Sequence, residues 1–357
     1  MTTSGWQALI AGLSSAGEEI VKSTEYLDSL DRADAQRALL RALNNLLGRF
    51  EIDRELPELV PFNGWREKFF MDNPDYRYWI TDLRDDGEYR ITGNVGDSVY
   101  QSITVYAGTD IASTTAVARV DSDSLTVDSD GDFEIVLSTN AIDDGTRLRL
   151  PTGSTSVWVR YVHDQVHPAR PGSCRIETLG GPADRPPADS GRLDRDLSRL
   201  GALLTQLPKL LEFSVAADVK APNSIRHWTA MAGGAAFTEP GIHYLRGSWR
   251  LNPDEALFIE GPLVSCRHWN IVLYNRFLNS LDYRHHVISR TAATSRIRDG
   301  RFRFVLAVRD PQLASHDWLD TQGRGFGLFV LRFLQPAADP ELPTVRCVPL
   351  ADLIGPQ

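Results

Sequence analysis

The chain reads as a mainly β protein: two antiparallel β-sandwich or jelly-roll-like domains, with a helical segment ahead of the first and a helical linker before the second. Three observations carry that expectation. Between residues 76 and 177, β-branched and apolar side chains alternate with a period of two in short runs, and the same character returns from about residue 233. Asp85-Asp86-Gly87, Asp130-Gly131 and Asp143-Asp144-Gly145 punctuate the first region, each able to supply the left-handed residue a hairpin needs. Between the regions the period becomes helical, in the stripe Leu193, Leu197, Leu200, Leu204, Leu207 and Leu211. Strands this short and closely spaced favour sandwiches over a doubly wound sheet.

The expected divisions are a helical segment over 1–60, a first β domain over 61–180, a linker over 181–232 and a second β domain over 233–357. In the first segment Leu39, Leu43, Leu46, Leu47 and Phe50 share one helix face. Asp31 is the expected N-cap, with Asp34 in the first turn where negative charge suits the helix dipole, and Glu55-Leu56-Pro57 ends the pattern. Runs 100–106 and 157–162 are the clearest strands of the first domain. Asp121, Asp123, Asp128, Asp130 and Asp132 cluster as a calcium loop would, but no glutamate stands at the twelfth position. They read as a solvated hairpin end. Gly180-Gly181-Pro182 through Pro186-Pro187 opens the linker, and Pro208 predicts a kink or an end near Leu207. Runs 256–260, 269–274, 302–308 and 326–333 are the strands of the second domain. Asn252-Pro253-Asp254-Glu255 and Arg298-Asp299-Gly300 turn between them. No repeat of 20–50 residues is visible, although the two β-rich halves could share an architecture.

Composition narrows the function. At 357 residues, 42% hydrophobic and 24% charged, the chain is an ordinary globular sequence, and its net charge of -9 disfavours nucleic acid or an anionic membrane as partner. Cys174, Cys266 and Cys347 form no CxxC pair and read as small buried apolar residues in a reducing compartment. The first twenty residues lack a basic n-region and a long apolar core, and no run of 18 apolar residues occurs, so a cytoplasmic location is expected. There is no GxSxG elbow, no GxxxxGK[ST] loop and no GxGxxG after a strand, which disfavours serine-hydrolase and nucleotide chemistry. A small-molecule partner is expected, with no cofactor; homo-oligomerisation stays open.

Three patterns carry a family resemblance. The first is residues 252–259, NPDEALFI, followed by Cys266-Arg267-His268-Trp269. The second is Tyr274-Asn275-Arg276-Phe277 running into Ser280-Leu281-Asp282-Tyr283-Arg284. The third is Val308-Arg309-Asp310-Pro311, then Asp317-Trp318-Leu319-Asp320-Thr321 and a glycine-rich turn into Phe329-Val330-Leu331-Arg332-Phe333. Together, over residues 241–336, they resemble the domain-of-unknown-function family 1214, whose members often occur beside or fused to family 1254. Residues 73–177 are similar to the shorter upstream half of relatives that lack a full 1254 domain. The resemblance implies sandwich or jelly-roll-like domains with helical additions and hands over no reaction. Relatives tend to carry asparagine where this chain has Asp317.

The candidate site lies in WNIVLYNRFLNSLDYRHH, residues 269–286, where charged and aromatic groups crowd the end of an apolar strand. Such groups are costly to desolvate unless they bind one another or a ligand. Asp282, His285 and Asp320 are the proton-transfer candidates, and Arg284, Tyr283, Arg309, Trp269, Trp318 and Asn275 the substrate-binding ones. His285 and His286 are adjacent, so on a strand only one faces a shared site. A metal centre, the lesser alternative, would need Asp282, one of these histidines and a third ligand from His243, His163 or Asp320. Tyr161 and His163 of the first domain are further candidates. Arg276, Arg284, Arg309 and Arg332 either pair with carboxylates such as Asp282, Asp310 and Asp320 or clamp an anion. Trp269, Trp318, Tyr274 and Tyr283 could wall a sugar face. The expected function is a cofactor-independent acid–base enzyme, hydrolase or lyase in type, acting on a small polar or carbohydrate-like molecule in a cleft of the C-terminal sandwich. The alternative is a non-catalytic carbohydrate- or small-molecule-binding or assembly protein.

Overall fold

A computed structural model describes residues 4–50, 52–108, 113–181, 187, 189–228 and 239–353. Local capping starts the first two helices. Ser4 forms a capping box with Gln7 at α1 (Gly5–Ser23), and Asp28 caps α2 (Ser29–Leu47) by accepting from the Asp31 N–H at 2.8 Å. The cap is therefore Asp28 and not Asp31. Asp31 and Asp34 sit one turn further in, buried, where Arg276 and Arg324 of the second half reach them at 3.5 and 2.8 Å. Leu39 is buried as expected while Leu47 is exposed. Eight residues on, a side chain has rotated about 80° from the starting direction, to the rim of the buried stripe.

The third helix corrects another expectation. α3 (Ser190–Lys220) is continuous for 31 residues with Pro208 inside it. Proline removes one helical hydrogen bond there. The buried stripe Leu200, Leu204, Leu207, Leu211 and Val215 extends on both sides of that gap, so packing outweighs it. α1 and α3 meet at glycines: a Cβ added to Gly12 would stand 2.2 Å from the Gly201 carbonyl oxygen. The two backbones are in contact.

The sheets come in two matched pairs. In the first half, β1 (Val60–Pro61), β2 (Tyr76–Asp82), β8 (Ser154–Val162), β4 (Tyr100–Ala107) and β5 (Thr115–Asp121) form one sheet in that order. β7 (Arg147–Arg149), β6 (Asp132–Ser138), β3 (Tyr89–Asn94) and β9 (Ser173–Thr178) form the other. In the second half the orders are β10 (Ser224–His227), β11 (Ile242–Arg250), β17 (Phe326–Leu334), β13 (His268–Tyr274), β14 (Ser289–Thr291), and β16 (Asp317–Asp320), β15 (Arg301–Ala307), β12 (Glu255–Pro262), β18 (Thr344–Pro349). Adding nine to each strand number of the first half gives the second. The chain is a structural duplication whose repeat is a whole sandwich. All pairings are antiparallel except β6–β7 and β15–β16, which are parallel and occupy the same place in each half.

Strand alternation then assigns every side chain to one of two faces. Ile91, Ile103, Ile135 and Val159 fill the interior of the first sandwich, and Trp269, Ile271, Phe304, Leu306, Phe329 and Leu331 that of the second. The intervening residues of the two five-stranded sheets look outward, and these outer faces pack in one cluster with the helices, Tyr106 and Trp158 beside Tyr244, Val272 and Tyr274. Among the described residues, no helix is long and apolar enough to cross a membrane.

Candidate functional site

β13 ends at Tyr274, and Asn275 turns the chain by accepting from the N–H groups of Phe277 and Asn279 at 3.0 and 3.1 Å. The loop that follows is pinned from the N-terminal side. Asp72 takes the Ser280 N–H and hydroxyl at 2.9 and 2.6 Å, and Lys68 Nζ donates to the carbonyls of Ser280 and Leu281 at 2.6 and 2.8 Å. Lys68 is fully buried, its ammonium 4.4 Å from the Trp65 ring centre and 4.6 Å from that of Tyr283. Burial pulls its pKa down to about 7. Arg284 covers Trp65 at 3.5 Å. Gln322 brackets Asp282, accepting from its N–H at 3.3 Å and donating to its carbonyl at 3.1 Å.

So held, the loop sets His286 beside Asp320. His286 Nδ1 lies 2.7 Å from Asp320 Oδ2, Asp320 Oδ1 accepts the Gln322 N–H at 2.7 Å, and the Asp320 N–H donates to the Val287 carbonyl at 2.8 Å. A carboxylate at Nδ1 makes that nitrogen the donor and leaves Nε2 as the basic one. From the first half comes Asp75, at the entry to β2. Its buried carboxyl accepts from Ser289 Oγ and Asn270 Nδ2, while Oδ1 has no hydrogen-bond partner among the described residues. Burial raises the Asp75 pKa, against the opposing pull of the Ser289 and Asn270 hydrogen bonds. His286 and Asp75 line one groove of about 200 Å³ together with Tyr283, Ser289, Gln165 and Arg290. Arg290 donates to the Thr294 carbonyl at 3.1 Å, and its buried Nε has no partner among the described residues. A fixed imidazole, a carboxyl that favours its proton and a guanidinium with spare donors in one groove can bind a polar molecule and move protons on it.

The structure distributes the sequence-predicted residues unevenly. Asp320 and Tyr283 belong to this site. His285 is exposed and lies outside the groove, and its neighbour His286 lines it instead. Asp282 accepts the Arg284 N–H at 2.9 Å and stands 3.9 Å from Arg284 Nε. Asn275 shapes the turn, and Arg309 is exposed. Trp269 is a core residue 6.1 Å from both Phe302 and Phe304, and Trp318 donates Nε1 to the Ala307 carbonyl at 3.0 Å. Tyr161 donates to the Ser173 carbonyl, and His163 pairs with Asp97 at 2.9 Å. Asp317 binds Arg296 through its N–H at 2.7 Å and its Nε at 2.8 Å, a charged contact at the position where relatives tend to carry asparagine. Among the described residues no three His, Cys, Asp or Glu side chains gather as a metal set. Asp75, Ser289, Arg290 and Lys68 escaped the sequence reading. The signal nearest to Asp75 was its place after Asn73-Pro74, ahead of the alternation Tyr76, Tyr78, Ile80; its contact with Asn270 spans 195 residues.

Comparison with known proteins bears on the fold. Residues 256–338 match the profile of a family described as a protein of unknown function, DUF1214. The crystal structure of an uncharacterized protein from Burkholderia cenocepacia is similar over 98% of this chain and 97% of that one, at 28% identity and a TM-score of 0.89. That of the VPA0106 protein from Vibrio parahaemolyticus is more distant, with 13% identity and a TM-score of 0.48 over 96% of this chain and 98% of that one. No curated protein matches the chain.

Proposed function

We propose that this chain, a DUF1214 protein over residues 256–338, is an acid–base enzyme of hydrolase or lyase type acting on a small polar or carbohydrate-like molecule. The observation that carries the reading is the groove shared by His286, oriented by Asp320, and Asp75, buried with one carboxyl oxygen unbonded among the described residues. His286 Nε2 accepts a proton from the substrate or from an attacking water. Asp75 returns one to the departing or rearranging group. Arg290 and Tyr283 hold the substrate's polar edge. A cavity of about 150 Å³ admits a benzene ring, so a groove of about 200 Å³ suits a single six-membered ring or its open-chain equivalent.

The test is a polar metabolite extract followed by proton NMR with the wild-type protein, His286→Gln and Asp75→Asn. General acid–base groups contribute about 10²–10⁴-fold, so each variant is expected to slow turnover of the same compound at least a hundredfold. Turnover at the wild-type rate in either variant contradicts the assignment. Saturation transfer to a compound that no form of the protein converts identifies the alternative, a non-catalytic binding protein.

A further inference from the structure

Where the outer faces of the two five-stranded sheets meet, a second cavity of about 30 Å³ lies between the halves, lined by Tyr76, Tyr78, Arg160, Glu239, Tyr244 and Arg332 among others. Most of its charge is internally balanced. Arg160 Nη1 is 2.8 Å from Glu239 Oε2, Glu239 Oε1 is 3.0 Å from Arg119 Nε, and Arg119 Nη1 is 2.8 Å from Asp121 Oδ2. Two guanidiniums face two carboxylates.

Arg332 stands outside that chain. It is buried at 5% exposure, and among the described residues no carboxylate comes within the 4.0 Å of an ion pair. Nη2 donates to the Met71 carbonyl at 3.1 Å, while Nη1 has no hydrogen-bond partner among the described residues. The rings of Tyr244 and Tyr274 lie 5.8 and 5.7 Å from the guanidinium, a modest compensation for a buried cation. The Tyr274 hydroxyl interacts with the Arg332 side chain, while the Tyr76 hydroxyl, buried in the same chamber, has no partner among the described residues. Residues 229–238, which lie outside the described residues between Trp228 and Glu239, contain no Asp or Glu. A buried guanidinium N–H and a buried hydroxyl, each unpaired among the described residues of one cavity, are the usual mark of a bound water or ion.

We infer that this chamber binds one small monovalent anion of the carboxylate type, held by Arg332 Nη1 and the Tyr76 hydroxyl. The single uncompensated positive charge sets the valence. The volume sets the size: about 10–15 Å³ accommodates one water, so about 30 Å³ takes two waters or a formate- or acetate-sized ion and excludes sulfate. The site does not depend on the chemistry of the groove.

Trp158 and Trp228 line the chamber, so tryptophan emission of the full-length protein reports on it. The experiment titrates sodium acetate at constant ionic strength balanced with sodium sulfate. A saturable change with acetate is expected in the wild type, absent in Arg332→Met and at least threefold weaker in Tyr76→Phe, which deletes only the unbonded hydroxyl. Should Arg332→Met fail to fold, Tyr76→Phe decides. No saturable response to acetate, an equal response when sulfate is titrated alone, or wild-type affinity in Tyr76→Phe overturns the inference.

Discussion

Lys68 holds the site loop from beneath, and its burial has a thermodynamic signature. Its pKa drops from 10.5 to about 7 in the folded protein. Between those values the unfolded chain binds more protons than the native one, so stability rises with pH across that window, by at most about 1.4 kcal/mol per pH unit. Denaturant midpoints measured from pH 7 to pH 10 are expected to climb in the wild type and to lose that slope in Lys68→Met; equal slopes would show that Lys68 stays charged. At this scale the sequence revealed the neighbourhood better than the partners. Tyr283, Asp320 and the histidine pair were visible because they crowd an apolar strand end. Asp75 and Lys68 were not, because both reach the site across the long separation between the two halves, and a lone Asp or Lys in a sequence carries no mark of burial.

Elements follow local chemistry wherever local chemistry is strong. Gly131 and Gly145 take φ of +86° and +85° in the turns that Asp-Gly pairs predicted. The strands they join are not antiparallel neighbours, so neither turn closes a hairpin. Asp299 and Gly300 both have positive φ between the antiparallel-bridged Arg298 and Arg301. Prediction failed where distant packing intervenes, as in the uninterrupted α3. The glycine contact between α1 and α3 is another case, since neither Gly12 nor Gly201 looks different from a tolerated helix glycine until the helices are docked. Gly12→Leu forces those backbones apart. The expected cost is about 1–3 kcal/mol, read as a lower urea midpoint; an unchanged midpoint would mean the two helices do not touch in solution.

The whole molecule is one sandwich design used twice, and the groove exists only because the copies face each other. Asp75 comes from the entry to β2, while His286 and Ser289 flank the start of β14 in the second copy. The mainly β class and its two β-rich regions were legible from period-two alternation. That the two halves share an architecture was raised from the sequence, but the repeated strand order was not legible there, because strand order can repeat without residues recurring and only the pairing pattern shows it. The proposed chemistry likewise belongs to the assembled halves: one supplies the acid and the other the base. The pH dependence of turnover is the most direct measurement of that division. The account predicts turnover that falls as Asp75 loses its proton, with that fall gone from the slowed Asp75→Asn variant. Wild-type rates with the same fall at high pH in Asp75→Asn would contradict it.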